Sequence, residues 1–331
     1  MELSALDSEI NVAGPSSNLE EPSVFYTNEE LLNVLLDSDS EDESNRIDNV
    51  SIDSPLEESN DTLEWICGNF RQPIFHEFQG QSGFNDLSLS QLEKPSEFYE
   101  YFLKFDVVRK LCQATNIYSQ KFVETHELST SSRFRRWKPT SPSEMYTFIA
   151  LTMLMARSKK ISIAEYWSTD PLLETPVFRQ VMPRDRYLNI LSMFHIEEEL
   201  NQEDRLKKIR SFYNYVKDTF KTSFTPGSAL CVDESLVLFK GRLCFKQYIP
   251  SKRNSFGVKF YVLCDVETGY FVDFIIYTGK GTVPVDKEVG VSGAIVKTLM
   301  NGYLNQGYTL FTDNWYTSPT LYKYLHDNQT N

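Results

Sequence analysis

Two aspartates stand where acidic side chains can do chemistry. Asp233 follows the apolar residues 230–232, and Asp313 follows residues 309–312; both short runs read as β-strands. If those strands are parallel neighbours, their ends carry both carboxylates to one edge of a sheet, the edge at which open α/β sheets bind ligands. Two nearby carboxylates offer hard oxygen donors suited to Mg²⁺ or Mn²⁺. An Asp after a strand can equally form a turn or cap a helix, and spacing alone leaves both readings open.

The stretch between the acids is basic. Lys240, Arg242, Lys246, Lys252, Arg253 and Lys259 fall within 20 residues that contain no acid, interleaved with Phe239, Phe245, Tyr248 and Phe256. Such a hairpin beside a metal site suits a polyanion, because cations on phosphates position a nucleic acid without reading its sequence. A solvated strand pair has a similar composition. Other chemistries find little support. His76, His126, His195 and His326 are far apart in sequence and lack zinc-ligand spacing. Gly279-Lys280-Gly281-Thr282 has Phe274 where a phosphate loop needs Gly, and no Ser or Thr directly after the Lys.

The elements that must position these residues can be read from hydrophobic period. After Thr225-Pro226-Gly227 short apolar runs alternate with turn signals, which predicts strands at 230–232, 258–264 and 270–277, the last two joined by a loop ending in Gly269. A helix over 290–304, a strand at 309–312 and a helix from Ser318-Pro319 to about His326 follow. Upstream the period is close to 3.6. One amphipathic helix is expected from Pro95 through Cys112, with further helices at 184–194 and 204–220. Ser141-Pro142-Ser143-Glu144 predicts a capping box, and the run through Ala156 is apolar nearly all round, as in a buried central helix.

The chain of 331 residues carries a net charge of −13, distributed unevenly. Residues 1–64 hold 18 acids and one base, so the remainder is mildly basic, and these first residues are expected to be a disordered acidic tail. Order should begin near Trp65. The division expected is an acidic tail (1–64), a helical domain (65–224) and an α/β domain (225–331). No run is long and apolar enough to span a membrane. The first residues lack a signal-peptide pattern, so an intracellular protein is expected. Five scattered cysteines, Cys67, Cys112, Cys231, Cys244 and Cys264, predict buried thiols rather than a disulfide framework.

The motifs themselves form a known order. Val232-Asp233-Glu234-Ser235, Phe239-Lys240-Gly241-Arg242, Tyr248-Ile249-Pro250-Ser251-Lys252 and Phe256-Gly257-Val258-Lys259 resemble the first catalytic block of the piggyBac transposase family. The segment from Gly307 to Ser318, with Asp313-Asn314-Trp315-Tyr316-Thr317-Ser318, resembles its second. Upstream, Thr115-Asn116-Ile117-Tyr118, Glu165-Tyr166-Trp167-Ser168, Met182-Pro183-Arg184 and the segment from Asp204 to Arg210 fall in the family's order, so the likeness runs from about Phe78 to Asn331.

That resemblance implies an α/β, ribonuclease-H-like catalytic domain of the DDE/D kind, preceded by a helical dimerisation and DNA-binding domain. It implies cut-and-paste DNA transposition at TTAA by two-metal phosphoryl transfer. Asp233 would bridge two Mg²⁺ or Mn²⁺ ions and Asp313 would hold one of them. Lys240, Arg242, Lys246, Lys252, Arg253 and Lys259 would contact double-stranded DNA at transposon ends. A homodimer and a nuclear location are implied with it. The family's third catalytic Asp, its fifth strand and its cysteine-rich tail are not found after Asp313; Asp327 lies on the wrong helix. The expectation is an incomplete catalytic domain that does not transpose DNA alone, with an unpaired edge on the strand at 309–312. The alternative is a domesticated, non-catalytic DNA-binding or interaction protein.

Overall fold

The computed structural model describes residues 74–130, 132–197, 203–250, 255–284 and 286–331. The acidic tail, Trp65, Cys67, Lys252 and Arg253 lie outside the described residues.

A five-stranded mixed sheet carries the site. Its strands are β3 (Ala229–Leu238), β4 (Gln247–Tyr248), β5 (Phe256–Asp265), β6 (Phe271–Ile276) and β7 (Thr309–Thr312). A short ladder of β1 (Gly83–Phe84) and β2 (Phe224–Thr225) stands apart from it. In the large sheet β5 pairs antiparallel with β3 on one side and with β6 and β4 on the other, while β7 pairs parallel with the far edge of β3. The order β6-β5-β3-β7, with a helix between β6 and β7, is the ribonuclease-H-like arrangement expected.

The β5–β6 hairpin closes at Gly269, whose φ of +70° is open to glycine without strain. Its loop is fastened by the buried Asp265, which accepts hydrogen bonds from Gly227 N–H (2.8 Å), Thr268 N–H (2.9 Å) and the Thr268 hydroxyl (2.5 Å). Further along, a Cβ on Gly257 would sit 2.2 Å from the Val237 carbonyl oxygen, so only glycine lets β5 approach β3 there.

Both faces of the sheet are covered. On one, α8 (Gly290–Met300) and α9 (Pro319–Asp327) bury Ile295, Leu299, Leu321 and Leu325 against Leu230, Val232, Leu263 and Val272. Each such fully buried side chain contributes about 1.5–3 kcal/mol. On the other, α7 (Arg210–Ser223) sets Tyr213, Val216 and Phe220 against Val262 and Phe274. The sequence reading groups α7 with the upstream helices, yet its strongest ties are to β6. The Tyr213 hydroxyl donates to Phe274 O (3.1 Å), and Lys217 reaches the buried Asp273 carboxylate at 3.0 Å.

The upstream layer contains α1 (Leu87–Ser90), α2 (Pro95–Phe102), α3 (Phe105–Thr125), α4 (Pro142–Arg157), α5 (Pro176–Val181) and α6 (Arg184–Met193). Its core holds Val108, Cys112, Met145, Phe148, Leu151, Phe178, Tyr187 and Ile190. The single helix expected over Pro95–Cys112 is broken between α2 and α3. Two carbonyls at that break are satisfied from other helices: Phe102 O accepts from the Tyr215 hydroxyl (2.9 Å) and Leu103 O from the Tyr146 hydroxyl (3.1 Å).

The capping box of α4 forms only by half. Ser141 Oγ accepts from Glu144 N–H at 3.2 Å, but the Glu144 carboxylate turns to Arg186 at 2.6 and 2.7 Å and to the Thr140 hydroxyl at 2.9 Å. Nor is α4 buried all round, since Ala150, Thr152 and Met153 are exposed. The helix expected at 204–220 starts instead at Arg210, because Asp204 caps Leu206 N–H (2.9 Å) and grips the Arg210 guanidinium at 2.6 Å through both oxygens. Among the described residues no helix is long and apolar enough to cross a membrane.

Candidate functional site

The parallel ladder of β3 and β7 places the acids. Its last rung pairs Val232 with Thr312, so Asp233 and Asp313 are the next residues on neighbouring strands. One detail departs from expectation: Asp233 does not end its strand. Still paired with β5, β3 runs on to Leu238, and Asp233 sits where one of its two neighbouring strands stops. That step in the sheet opens a notch flanked by backbone on one side only.

A third acid joins them. Ligand oxygens from Asp233, Glu234 and Asp313 all lie within 4.8 Å of one another. Consecutive strand residues point to opposite faces, so Asp233 and Glu234 approach the notch from either side of β3. Glu234 is not marked as a ligand by its sequence, since an acid inside a strand reads as solvated alternation; its adjacency to Asp233 is the one signal. Asp327, near the C-terminal end of α9, is outside the cluster.

The backbone holds the acids in place. Glu234 N–H donates to Asp233 Oδ1 at 2.7 Å, and Trp315 N–H donates to Asp313 Oδ1 at 2.9 Å. The turn after β7 wraps Asp313 further, with its carbonyl accepting from the Thr317 hydroxyl at 3.0 Å. Each aspartate thereby keeps its second carboxylate oxygen for another partner. Beside them the Tyr316 hydroxyl is buried and has no hydrogen-bond partner. Burial, and after it the charge of Glu234, holds that phenol well above the usual tyrosine range, with Asp313 and Asp233 adding to the effect.

An orphaned buried hydroxyl next to three convergent carboxylates fits a hydrated divalent cation, whose bound water would donate to the phenol oxygen. The residues present therefore match the hard, oxygen-rich donor set that Mg²⁺ or Mn²⁺ requires. The thiols alongside are unsuited to it. Cys231 lies opposite Cys264 across β3 and β5, and burial, with Cys231 and Asp233 adding to it, pushes Cys264 up to about 11.

The basic residues are distributed around this notch unevenly. Lys259, on β5, has its ammonium 4.9 Å from the Tyr261 ring and 5.2 Å from the Trp315 ring, beside the acids. Lys240 and Arg242 are exposed in the loop between β3 and β4. Lys246 is partly structural, since its ammonium donates to the carbonyls of Gly241 (2.9 Å) and Lys240 (3.4 Å) and closes that loop. Away from the site, the fold brings together two histidines that are distant in sequence: the His76 and His326 rings are 4.9 Å apart.

The expected open edge of β7 is occupied in part. Asn331 N–H donates to Tyr308 O (2.8 Å) and Leu310 N–H donates to Asn331 O (2.9 Å), the bonds of one parallel rung.

Comparison with known proteins agrees with this architecture. Residues 94–331 match the family described as Transposase IS4. The human protein named PiggyBac transposable element-derived protein 3 is 25% identical over 238 residues, covering 70% of this chain and 37% of its own. Human PiggyBac transposable element-derived protein 5 is 20% identical over 238 residues, covering 69% of this chain and 44% of its own. The chain thus spans less than half the length of these curated relatives. The piggyBac transposase in a synaptic complex with hairpin DNA superposes with a TM-score of 0.64 at 24% identity, over 76% of this chain and 52% of that one, and so shares its fold. With the family match extending over most of its length, the chain belongs to the transposase IS4 family, in its piggyBac-like branch.

Proposed function

We propose that this polypeptide is a piggyBac-type transposase chain that acts on DNA at transposon ends and TTAA targets by divalent-metal-dependent phosphoryl transfer, and that, without the family's third catalytic Asp, it does not complete transposition alone. The convergence of Asp233, Glu234 and Asp313 at the end of a parallel ladder carries the reading. Asp233 and Asp313 would hold the cation through the oxygens not used on backbone N–H groups, and Glu234 would supply a third donor. When bound, the cation activates water or a 3′-hydroxyl and neutralises charge developing at phosphorus. Lys240 and Arg242, exposed on the adjoining loop, supply phosphate contacts that orient the duplex. The Tyr316 phenol, held protonated by burial and the nearby acids, would accept a hydrogen bond from water on the cation. The relative solved in complex with DNA supports a nucleic-acid partner. A nuclear location and a homodimer belong to the same proposal, the latter measurable by light scattering.

The test is nicking of a labelled DNA end carrying TTAA, with the full chain and Mg²⁺ or Mn²⁺. Metal-dependent nicking that disappears in Asp233→Ala and Asp313→Ala is the expected result. Salt-sensitive binding without nicking would instead favour a domesticated, non-catalytic DNA-binding protein. Failure to bind DNA at low salt would sink both.

A further inference from the structure

Next to the acid cluster, on the face of the sheet that Glu234 shares with Tyr261 through their cross-strand pairing, is an aromatic pair. The Tyr261 and Trp315 rings are parallel to within 2°, with centroids 6.0 Å apart. Their exposures differ sharply: Tyr261 is 4% exposed and Trp315 46%. Tyr316 stands edge-on to Trp315 at 4.7 Å, and the Lys259 ammonium lies within cation–π range of both rings of the parallel pair, at 4.9 and 5.2 Å from their centroids. The Trp315 backbone N–H also donates to Asp313, which fixes the main chain bearing the indole relative to that carboxylate.

A large aromatic held rigidly on two sides and open on the rest loses little conformational freedom on binding a flat partner. Here the partner must lie beside three carboxylates and a lysine. Any phosphate drawn to a cation at Asp233 and Asp313 carries a nucleoside, and its base has to be accommodated within a few ångströms of that point. In intact duplex the base is already stacked and paired. At a frayed or cleaved end it is not, and an exposed indole replaces the lost stacking, with about 1–3 kcal/mol per base.

We propose that Trp315, backed by Tyr261 and flanked by Lys259, is a stacking platform for an unpaired nucleobase beside the phosphate held at the acid cluster. The proposal rests on the transposase reading above but makes a separate demand: preference for unpaired over paired DNA ends. Lys259 meets the adjoining phosphate and Trp315 the base, so the two residues have different signatures.

Fluorescence anisotropy with the full chain separates them, using one labelled duplex with a blunt end and one with a four-nucleotide single-stranded TTAA overhang, both in Ca²⁺ buffer. Wild-type protein is expected to bind the overhang about 5- to 100-fold more tightly than the blunt end. Trp315→Ala brings that ratio to about one, Trp315→Phe keeps most of it, and Lys259→Ala weakens both DNAs while lowering the salt slope by about one. Unchanged melting by circular dichroism identifies folded variants, and 2-aminopurine in the overhang reports stacking directly through its quenching. An undiminished preference in Trp315→Ala, or equal losses on both DNAs, overturns the platform while leaving the transposase reading intact. If wild-type protein binds neither DNA, the transposase reading fails and the platform with it.

Discussion

Two kinds of acidic site in this molecule are built on opposite rules. Asp265, Asp273 and Glu144 are each surrounded by donors: backbone and hydroxyl groups for Asp265, Lys217 and Lys221 for Asp273, and a forked Arg186 for Glu144. Asp233, Glu234 and Asp313 bring ligand oxygens within 4.8 Å of one another, the two aspartates each accepting one backbone N–H, with a partnerless buried phenol beside them. A carboxylate placed for stability is given compensating hydrogen bonds, because burying it without them is costly. Three carboxylates placed together lower stability through mutual repulsion unless a cation joins them, which is the pattern expected of a functional site. The difference separates acids that fasten the fold from a cluster whose oxygens lie close enough together to share a cation.

Substitutions on the two sides should therefore have opposite signs. The largest effect is expected from Asp265→Ala, which strips three donors of a shared buried acceptor and should cost about 3 kcal/mol or more in urea unfolding. A loss under 1 kcal/mol would mean that the hairpin closes without this hub.

Glu144→Gln should cost about 1–2 kcal/mol at neutral pH. The Arg186 guanidinium hydrogen-bonded to Glu144 holds its carboxyl below the ordinary 4.5. A lowered folded-state value means the stabilisation is complete above about 4.5 and is lost as pH falls through the folded value, so the gap between wild type and variant should close in acid. Melting curves from pH 7 to pH 3 would show it; a gap independent of pH would contradict the pairing.

Asp313→Asn should have the smallest effect and the reverse sign, raising metal-free stability by about 0.5 kcal/mol through relief of like charge. Added Mn²⁺ should then raise the melting temperature of wild type but not of the variant. If both respond alike, the cation binds elsewhere.

Much of this organisation is readable along the chain. Ser141 and Ser318 cap their helices as their positions before Pro predict, each accepting from the backbone three residues on. The loop at 265–269 closes the predicted hairpin, and the apolar runs before Asp233 and Asp313 do form parallel neighbours. These features follow from the periodicity and turn chemistry of a few adjacent residues, which act wherever the segment ends up.

Other features needed the assembled molecule. The helix expected across Leu103 breaks because two tyrosines from α4 and α7 satisfy the carbonyls released there. Beyond Val232, β3 continues because β5 pairs with it through Leu238, and Glu234 enters the site only because β7 stops short. Lys259 meets Trp315 across 56 positions of sequence. Local sequence thus determined the kinds of elements and the two aspartates at their ends. Tertiary structure decided where strands stop, which acid joins them and which aromatic stands guard, since those depend on partners that only folding brings within reach.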